Sequence, residues 1–145
     1  MIEPLRLSFE VACSPAHAFE TWTERTSLWW PATHTVTHDP DARVVFEPRT
    51  GGRIVERTPA GQDVDWVWIT VWEPPHRLVY QWHIAADVAS ATEVEIVFVD
   101  LGERTRVEIE HRGWEALGKT AGVWRDRNQI GWNSLIPHYT RGALA

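Results

Sequence analysis

Residues 105–118 read TRVEIEHRGWEALG, and the change of pattern inside this stretch decides the fold. Up to residue 112, apolar and charged residues alternate, which is typical of a strand with one buried face. After Gly113 the alternation ends, and residues recur at helical spacing: Leu117, Ala121, Trp124, Asn128, Gly131, Leu135 and Tyr139. We predict that the strand leads into a long C-terminal helix, which Gly122 and Gly131 weaken and which bends or ends near Pro137.

Upstream of this stretch, short alternating segments predict six more strands. Together with the strand at residues 104–112, the predicted strands cover residues 5–11, 42–48, 53–59, 64–73, 76–84 and 92–100, with a polar loop near Ser90. Ser14 followed by Pro15 predicts a short helix over residues 15–23, because a hydroxyl caps the helix and proline suits its first turn. A second short turn is expected to begin near Thr26 and to stop at Pro31.

Residue parity in the last three strands assigns one face of the sheet to the core and the other to water. The inward set is Leu78, Tyr80, Trp82, Ile84, Val94, Ile96, Phe98, Thr105, Val107, Ile109 and His111. The opposite positions carry mainly Arg, Glu and Gln, so that face is expected in solvent. The long helix is therefore expected to cover the apolar face.

Strand 64–73 does not follow this rule, because both of its faces are apolar. Trp66, Trp68 and Trp72 share one parity, and Val67, Ile69 and Val71 share the other. An even loop around Pro74 and Pro75 would leave the tryptophans outside, whereas an odd loop or a bulge would turn them inward. Either arrangement leaves apolar surface on the second face, so the three tryptophans are a candidate protein contact.

Composition argues against several classes of function. The 145 residues suit a single domain, 1–145, and carry 14 Lys and Arg against 20 Asp and Glu, for a net charge of −6. Nucleic acids and anionic membranes bind basic surfaces, so neither is an expected partner. Cys13 is the single cysteine and the first residues lack the pattern of a signal peptide, which favours a cytoplasmic protein.

Five blocks of the sequence carry a family resemblance: TWTERTSLWWP, FEPRTGGRIVERTPAG, WEPPHRLVYQW, ATEVEIVF and TRVEIEHRGWEALG. Together they resemble bacterial proteins related to the C-terminal domain of the heat-shock protein ATPase activator, within the START-like (SRPBCC) superfamily. The resemblance implies an α+β helix-grip fold, in which a curved antiparallel sheet of about seven strands wraps around the last helix, with two short helices after the first strand. It also implies a cavity between sheet and helix. Ile69 stands where the family pattern has a small glycine, which leaves the size of that cavity open.

The resemblance and the strand parity together predict a ligand site in this cavity. Its predicted residues are Trp30, His34, Tyr80, Trp82, His111, Trp124 and Asn128. In SLWWPATH, residues 27–34, adjacent side chains on a helical turn point about 100° apart. We therefore expect one of the two neighbouring tryptophan rings in the core and the other at the cavity mouth, near His34. The amide of Asn128 is expected to bind either a ligand or a neighbouring protein group.

Several titratable groups allow more than one interpretation. His111 either carries protons for a ligand or is held by protein groups at the core, and we favour the second interpretation. His34 and His38 are four residues apart, but the β-branched residues between them argue against a helix, so no metal site is predicted. Glu47 and Glu56 lie among arginines and are expected to form exposed ion pairs.

We therefore predict non-catalytic binding of a small or medium apolar molecule between the sheet and the last helix. One alternative is a co-chaperone-like module that binds a protein partner or a second copy of the chain. Another is a cyclase-like or hydrolase-like enzyme that uses His111. The sequence contains no phosphate loop, nucleophile elbow or CxxC motif, so no catalytic residue and no cofactor is assigned.

Overall fold

Seven antiparallel strands form one curved, open sheet, and the C-terminal helix packs on its inner face. The computed structural model describes residues 2–82 and 91–144. The strands are β1 (Leu5–Val11), β2 (Arg43–Phe46), β3 (Arg53–Arg57), β4 (Asp63–Glu73), β5 (Arg77–Trp82), β6 (Thr92–Asp100) and β7 (Thr105–Arg112). They stand in the order β1-β7-β6-β5-β4-β3-β2, which confirms the predicted helix-grip architecture.

The helices occupy the places that the sequence predicts. They are α1 (Pro15–Thr23) and α2 (Ala121–Ala143), with short 3-10 helices at Thr26–Leu28, Ala32–His34 and Trp114–Thr120. At the start of α1, Ser14 Oγ accepts a hydrogen bond from the backbone N–H of His17 at 3.2 Å, and Pro15 occupies the first turn. The predicted strand end at residues 83 and 84 and the loop near Ser90 lie outside the described residues.

Helix α2 continues beyond Pro137. It runs through Pro137 to Ala143, so an end near Pro137 is wrong. Pro137 and Asn133 are both exposed, and the Asn133 carbonyl, which lacks its usual N–H donor, therefore lies on the solvent side. The α2 residues buried against the rest of the fold are Ala121, Trp132, Leu135, Tyr139 and Ala143.

The two faces of the sheet have the chemistry that parity predicts. Inward residues of β6 and β7 such as Val94, Ile96 and Val107 are fully buried. On the outer face, Arg112 forms ion pairs with three glutamates, one of them at 2.7 Å between Arg112 Nη1 and Glu95 Oε1. Partly exposed ion pairs contribute little to stability, so the inner face supplies most of it.

An odd loop and two bulges set the orientation of β4. Glu73 pairs with Arg77 across a three-residue loop, so Trp72 pairs with the buried Leu78. A bulge at Thr70 then shifts the register by one residue.

The second bulge lies against β3, at Trp66. It turns this tryptophan inward, and Trp66 is only 2% exposed. Trp72 is half-buried, and Trp68 is 42% exposed. This corrects the expectation of a shared tryptophan face, because the three residues predicted as a protein contact do not form one exposed surface.

The end of α2 packs on Trp29 at a glycine. A methyl group added at Gly142 would lie 2.9 Å from Trp29 Cβ, which requires one of them to move. Trp29 is firmly held, since it is buried and its Nε1 donates to the Thr21 carbonyl at 2.7 Å. We expect Gly142→Ala to lower the free energy of unfolding by about 1–3 kcal/mol, measured by urea titration. Gly122→Ala is the control, because its added methyl meets open space; an equal effect of the two substitutions would contradict this packing.

Candidate functional site

A small cavity lies between the end of β5 and the middle of α2, and its volume is about 60 Å³. The lining residues are Trp30, His34, Trp82, Asn128, Gly131, Trp132 and Leu135. Aromatic rings make up most of the wall, and the imidazole of His34 and the amide of Asn128 are placed among them. Such a lining is typical of a site for a mainly apolar ligand that is oriented by a few polar contacts.

Tryptophan rings close one side of the cavity. The ring of Trp30 lies 6.1 Å from that of Trp82 and 5.5 Å from that of Trp66, measured between centroids. Trp30 Nε1 donates to the His34 carbonyl at 3.1 Å, which holds the ring over the adjoining turn. Trp30 is half-buried, whereas Trp29 is 4% exposed and belongs to the core. Trp29 thus lies in the core and Trp30 at the cavity, as expected for adjacent side chains that point about 100° apart on a helical turn.

His34 and Asn128 supply polar groups to the cavity. Asn128 Nδ2 donates to the Trp124 carbonyl at 2.8 Å. The amide oxygen, which has no hydrogen-bond partner within the described part of the chain, is the atom available to a ligand donor. Burial lowers the pKa of His34 and nearby His138 lowers it further, while the Gly131 backbone opposes both. The His34 ring is therefore neutral at neutral pH, and because its Nδ1 bonds to the Thr33 hydroxyl at 3.2 Å, Nε2 is the ring nitrogen left to bond to a ligand.

Behind the cavity, His111 belongs to a continuous chain of hydrogen bonds. Trp132 Nε1 donates to His111 Nδ1 at 3.1 Å. Because Nδ1 accepts, the neutral ring carries its proton on Nε2 and donates it to Thr92 Oγ1 at 2.7 Å. The Thr92 hydroxyl donates in turn to the Trp82 carbonyl at 3.0 Å. Burial lowers the pKa of His111 to about 3. Both ring nitrogens bond to protein groups, which supports the interpretation of His111 as a histidine held at the core.

Glu56 is a buried carboxylate that fixes the segment following His34. Its Oε1 accepts from the backbone N–H of Val36 at 2.8 Å and from Trp66 Nε1 at 3.1 Å. Its Oε2 accepts from the backbone N–H of Thr37 at 3.0 Å and from the Thr37 hydroxyl. Burial alone raises the pKa of Glu56, but these hydrogen bonds outweigh burial and hold the pKa below 4.5. An exposed ion pair at Glu56 is therefore a wrong prediction.

Comparison with known proteins identifies the family. Residues 12–138 match the sequence profile described as Activator of Hsp90 ATPase homolog 1-like protein. The chain belongs to this family. No match was found among curated proteins.

Solved structures with this fold include two that also resemble the chain in sequence. The structure named "An anthrahydroquino-Gama-pyrone synthase Txn09 complexed with SUM" is 34% identical, with a TM-score of 0.61, and the match covers 99% of this chain and 87% of that chain. The self-sacrificing resistance protein CalC from Micromonospora echinospora is 25% identical, with a TM-score of 0.70 and coverage of 97% and 94%. Protein MLL2253 from Mesorhizobium loti shares the fold at 15% identity, with a TM-score of 0.67 and coverage of 97% and 96%. The predicted START-like resemblance is confirmed.

In this member of the Hsp90 ATPase activator homolog family, four of the seven predicted ligand residues line the cavity: Trp30, His34, Trp82 and Asn128. Tyr80 is buried beside Trp82, with ring centroids 6.1 Å apart, and does not line the cavity. Trp124 is half-buried, and the guanidinium of Arg127 lies 5.2 Å from its ring centroid. His111 is one residue removed from the cavity, behind Trp132.

The sequence prediction left three lining residues out of the site: Gly131, Trp132 and Leu135. Trp132 follows Asn128 by four residues, and this spacing places both on one helix face. The spacing from Asn128 could therefore have identified Trp132. The predicted inward face of α2 included Gly131 and omitted Trp132.

Within residues 2–82 and 91–144, no group of three or more His, Cys, Asp or Glu side chains could hold a metal ion. His34 and His38 do not share a helix, since the 3-10 helix ends at His34 and His38 has a φ of 57°. Among the helices of the described segments, none is both long enough and apolar enough to span a bilayer.

Proposed function

We propose that this chain binds an apolar, ring-containing small molecule in the cavity between β5 and α2 and does not convert it to a product. The observation that carries the proposal is the lining, in which tryptophan rings surround the polar groups of His34 and Asn128. Flat rings of a ligand stack well on tryptophan. A carbonyl or hydroxyl of the ligand would bond to the imidazole, and a ligand donor would bond to the Asn128 amide oxygen.

A relative supports an aromatic ligand. The solved structure at 34% identity is named as a synthase of an anthrahydroquino-gamma-pyrone, and its match covers 99% of this chain. The name denotes a ring-containing molecule, and a cavity walled by tryptophan suits that chemistry.

Ligand binding must enlarge the cavity. A volume of about 60 Å³ is far below the roughly 300–1,000 Å³ of ordinary ligand pockets. Trp30 is the lining residue best suited to move, because its ring is only half-buried. The hydrogen bond from its Nε1 to the His34 carbonyl can be replaced by one to water when the ring turns outward. We expect its ring to turn outward when a ligand enters.

Filling the cavity at Gly131 tests this proposal. A Cβ added at Gly131 meets no atom within 4 Å, and Gly131 lines the cavity, so we expect the larger side chain of Gly131→Leu to occupy space in the cavity. The probe is 9,10-anthraquinone-2-sulfonate, a soluble fused-ring carbonyl compound, followed by quenching of tryptophan fluorescence. We expect Gly131→Leu to weaken probe binding at least about tenfold, equivalent to ~1.4 kcal/mol.

Gly122→Leu is the matched control, because Gly122 also belongs to α2 and has open space around it but does not line the cavity. It should bind the probe as the wild-type chain does. Native mass spectra of the same samples report the number of probe molecules and the number of subunits. Equal probe affinity in both variants, or a wild-type chain that binds no probe, would refute the proposal.

Enzymatic ring chemistry is a second candidate, supported by the word synthase in the name of the 34%-identical relative. Of the described lining residues, His34 is the one whose side chain can exchange a proton as an acid or base. Mass spectrometry separates the two candidates, since a bound probe that is recovered unchanged favours binding and a changed mass favours catalysis.

A further inference from the structure

A second concave site lies on the side of the molecule where α1 meets the β4–β5 loop. This groove has a volume of about 400 Å³ and is open to solvent. Its lining residues are Ala16, Phe19, Glu20, Thr23, Glu24, Pro48, Trp72, Pro74 and Pro75. It shares no lining residue with the cavity between β5 and α2, so the two sites can be tested separately.

The floor of the groove is aromatic. Phe19 and Trp72 meet edge to face, with ring centroids 5.0 Å apart and planes at 77°. Phe19 is buried, while Trp72 is half-buried and so keeps part of its ring accessible. The prolines at 48, 74 and 75 add rigid apolar walls.

The rim of the groove is acidic. Glu20 lies on α1, and Glu24 is the helical C-cap residue four positions later, so both carboxylates lie on one face, and both are exposed. In the described parts of the chain neither side chain has an ion-pair or hydrogen-bond partner. Like charges at this spacing repel each other and destabilise a helix, and a bound cation would relieve that repulsion.

We propose that this groove binds an arginine-bearing segment of a partner protein. A guanidinium is flat, stacks on tryptophan and presents several N–H donors to carboxylates, whereas an ammonium does so less well. The arginine side chain would lie on the exposed part of Trp72 and reach Glu20 and Glu24. The chain already contains a related contact, since the guanidinium carbon of Arg127 lies 5.2 Å from the centroid of the Trp124 ring.

The test uses the full chain and two short peptides that differ in one group. The first is acetyl-Pro-Arg-Pro-amide, and the second replaces arginine with citrulline, which has nearly the same shape but no charge. Binding is followed by amide chemical shifts in two-dimensional NMR spectra. We expect the arginine peptide to shift resonances of α1 and of the β4–β5 loop, and to bind at least about fivefold more tightly than the citrulline peptide.

A second experiment removes the two negative charges at the rim and repeats the peptide titrations. The Glu20→Gln/Glu24→Gln double variant should weaken the arginine peptide at least about fivefold and leave the citrulline peptide unchanged. Glu103→Gln/Glu115→Gln is the matched control, since it removes two exposed charges at other places on the surface. Equal affinity for the two peptides, equal losses in the two double variants, or no shifts at the groove would overturn the proposal. Gly131→Leu should leave this binding intact.

Discussion

Replacing Glu56 with glutamine is expected to lower the free energy of unfolding by about 2–4 kcal/mol. The carboxylate accepts four hydrogen bonds, from the N–H groups of Val36 and Thr37, the Thr37 hydroxyl and Trp66 Nε1. A glutamine keeps one acceptor oxygen and turns an NH₂ group toward some of these donors, so at least one donor loses its partner. The measurement is urea unfolding at pH 7, followed by tryptophan fluorescence.

Glu108→Gln is the control for the loss of one charge. Glu108 pairs with Arg106 on the exposed outer face, at 3.0 Å, and its replacement should change stability by no more than about 0.5 kcal/mol. Because the folded pKa of Glu56 lies below 4.5, its contribution is present at neutral pH and is lost as the pH falls through the folded pKa. A Glu56→Gln variant as stable as Glu108→Gln would contradict the assigned hydrogen bonds.

The burial of Glu56 was not predicted from the sequence. Glu56 shares strand parity with Ile54, which is buried, so the alternation of β3 already pointed it inward. The charge of the side chain and the surrounding arginines suggested solvent instead. Only the fold reveals the donors that make burial of the carboxylate favourable, because the N–H groups of Val36 and Thr37 come from a distant loop.

Strands β6 and β7 were predictable because each follows one period without interruption. Their inward residues form the core, and His111 lies among them as its parity indicates. Strand β4 was not predictable, because a bulge inserts one residue and reverses the face of the residues beyond it. Trp66 and Trp68 therefore face opposite ways despite equal parity. A co-chaperone role, which the family description suggests, would need a surface other than those three tryptophans.

The cavity was predictable in part. Strand parity pointed to Trp82, and the family resemblance placed Trp30 and His34 near the cavity mouth. On α2 both Gly131 and Trp132 line the cavity, and helical spacing alone does not show that two neighbouring residues do so. The placement of Trp132 depends on its hydrogen bond to His111, which joins residues 21 positions apart.

Replacing His111 with leucine is expected to lower the free energy of unfolding by about 3–5 kcal/mol at pH 7. The substitution leaves Trp132 Nε1 buried without its acceptor, and it removes the contact of the imidazole with the tilted ring of Trp114, at 4.3 Å between ring centroids. Because His111 does not line the cavity, variants that remain folded should still bind anthraquinone-2-sulfonate. His76→Leu, at an exposed turn, is the control and should change stability by no more than about 0.5 kcal/mol.

The pH dependence of stability gives an independent test of the same histidine. Its pKa is about 3 in the folded chain, against about 6.5 when unfolded, so between these values the unfolded state binds the extra proton. Stability therefore falls as the pH falls, and His111 alone should cost the wild-type chain about 2–3 kcal/mol between pH 6 and pH 4. The difference between wild type and His111→Leu cancels the contribution of Glu56 and other carboxylates, and it should shrink by this amount over the same interval. Parallel pH profiles for the two proteins would mean that His111 can be protonated in the folded state. That result would support the alternative interpretation, in which His111 acts as an acid or base.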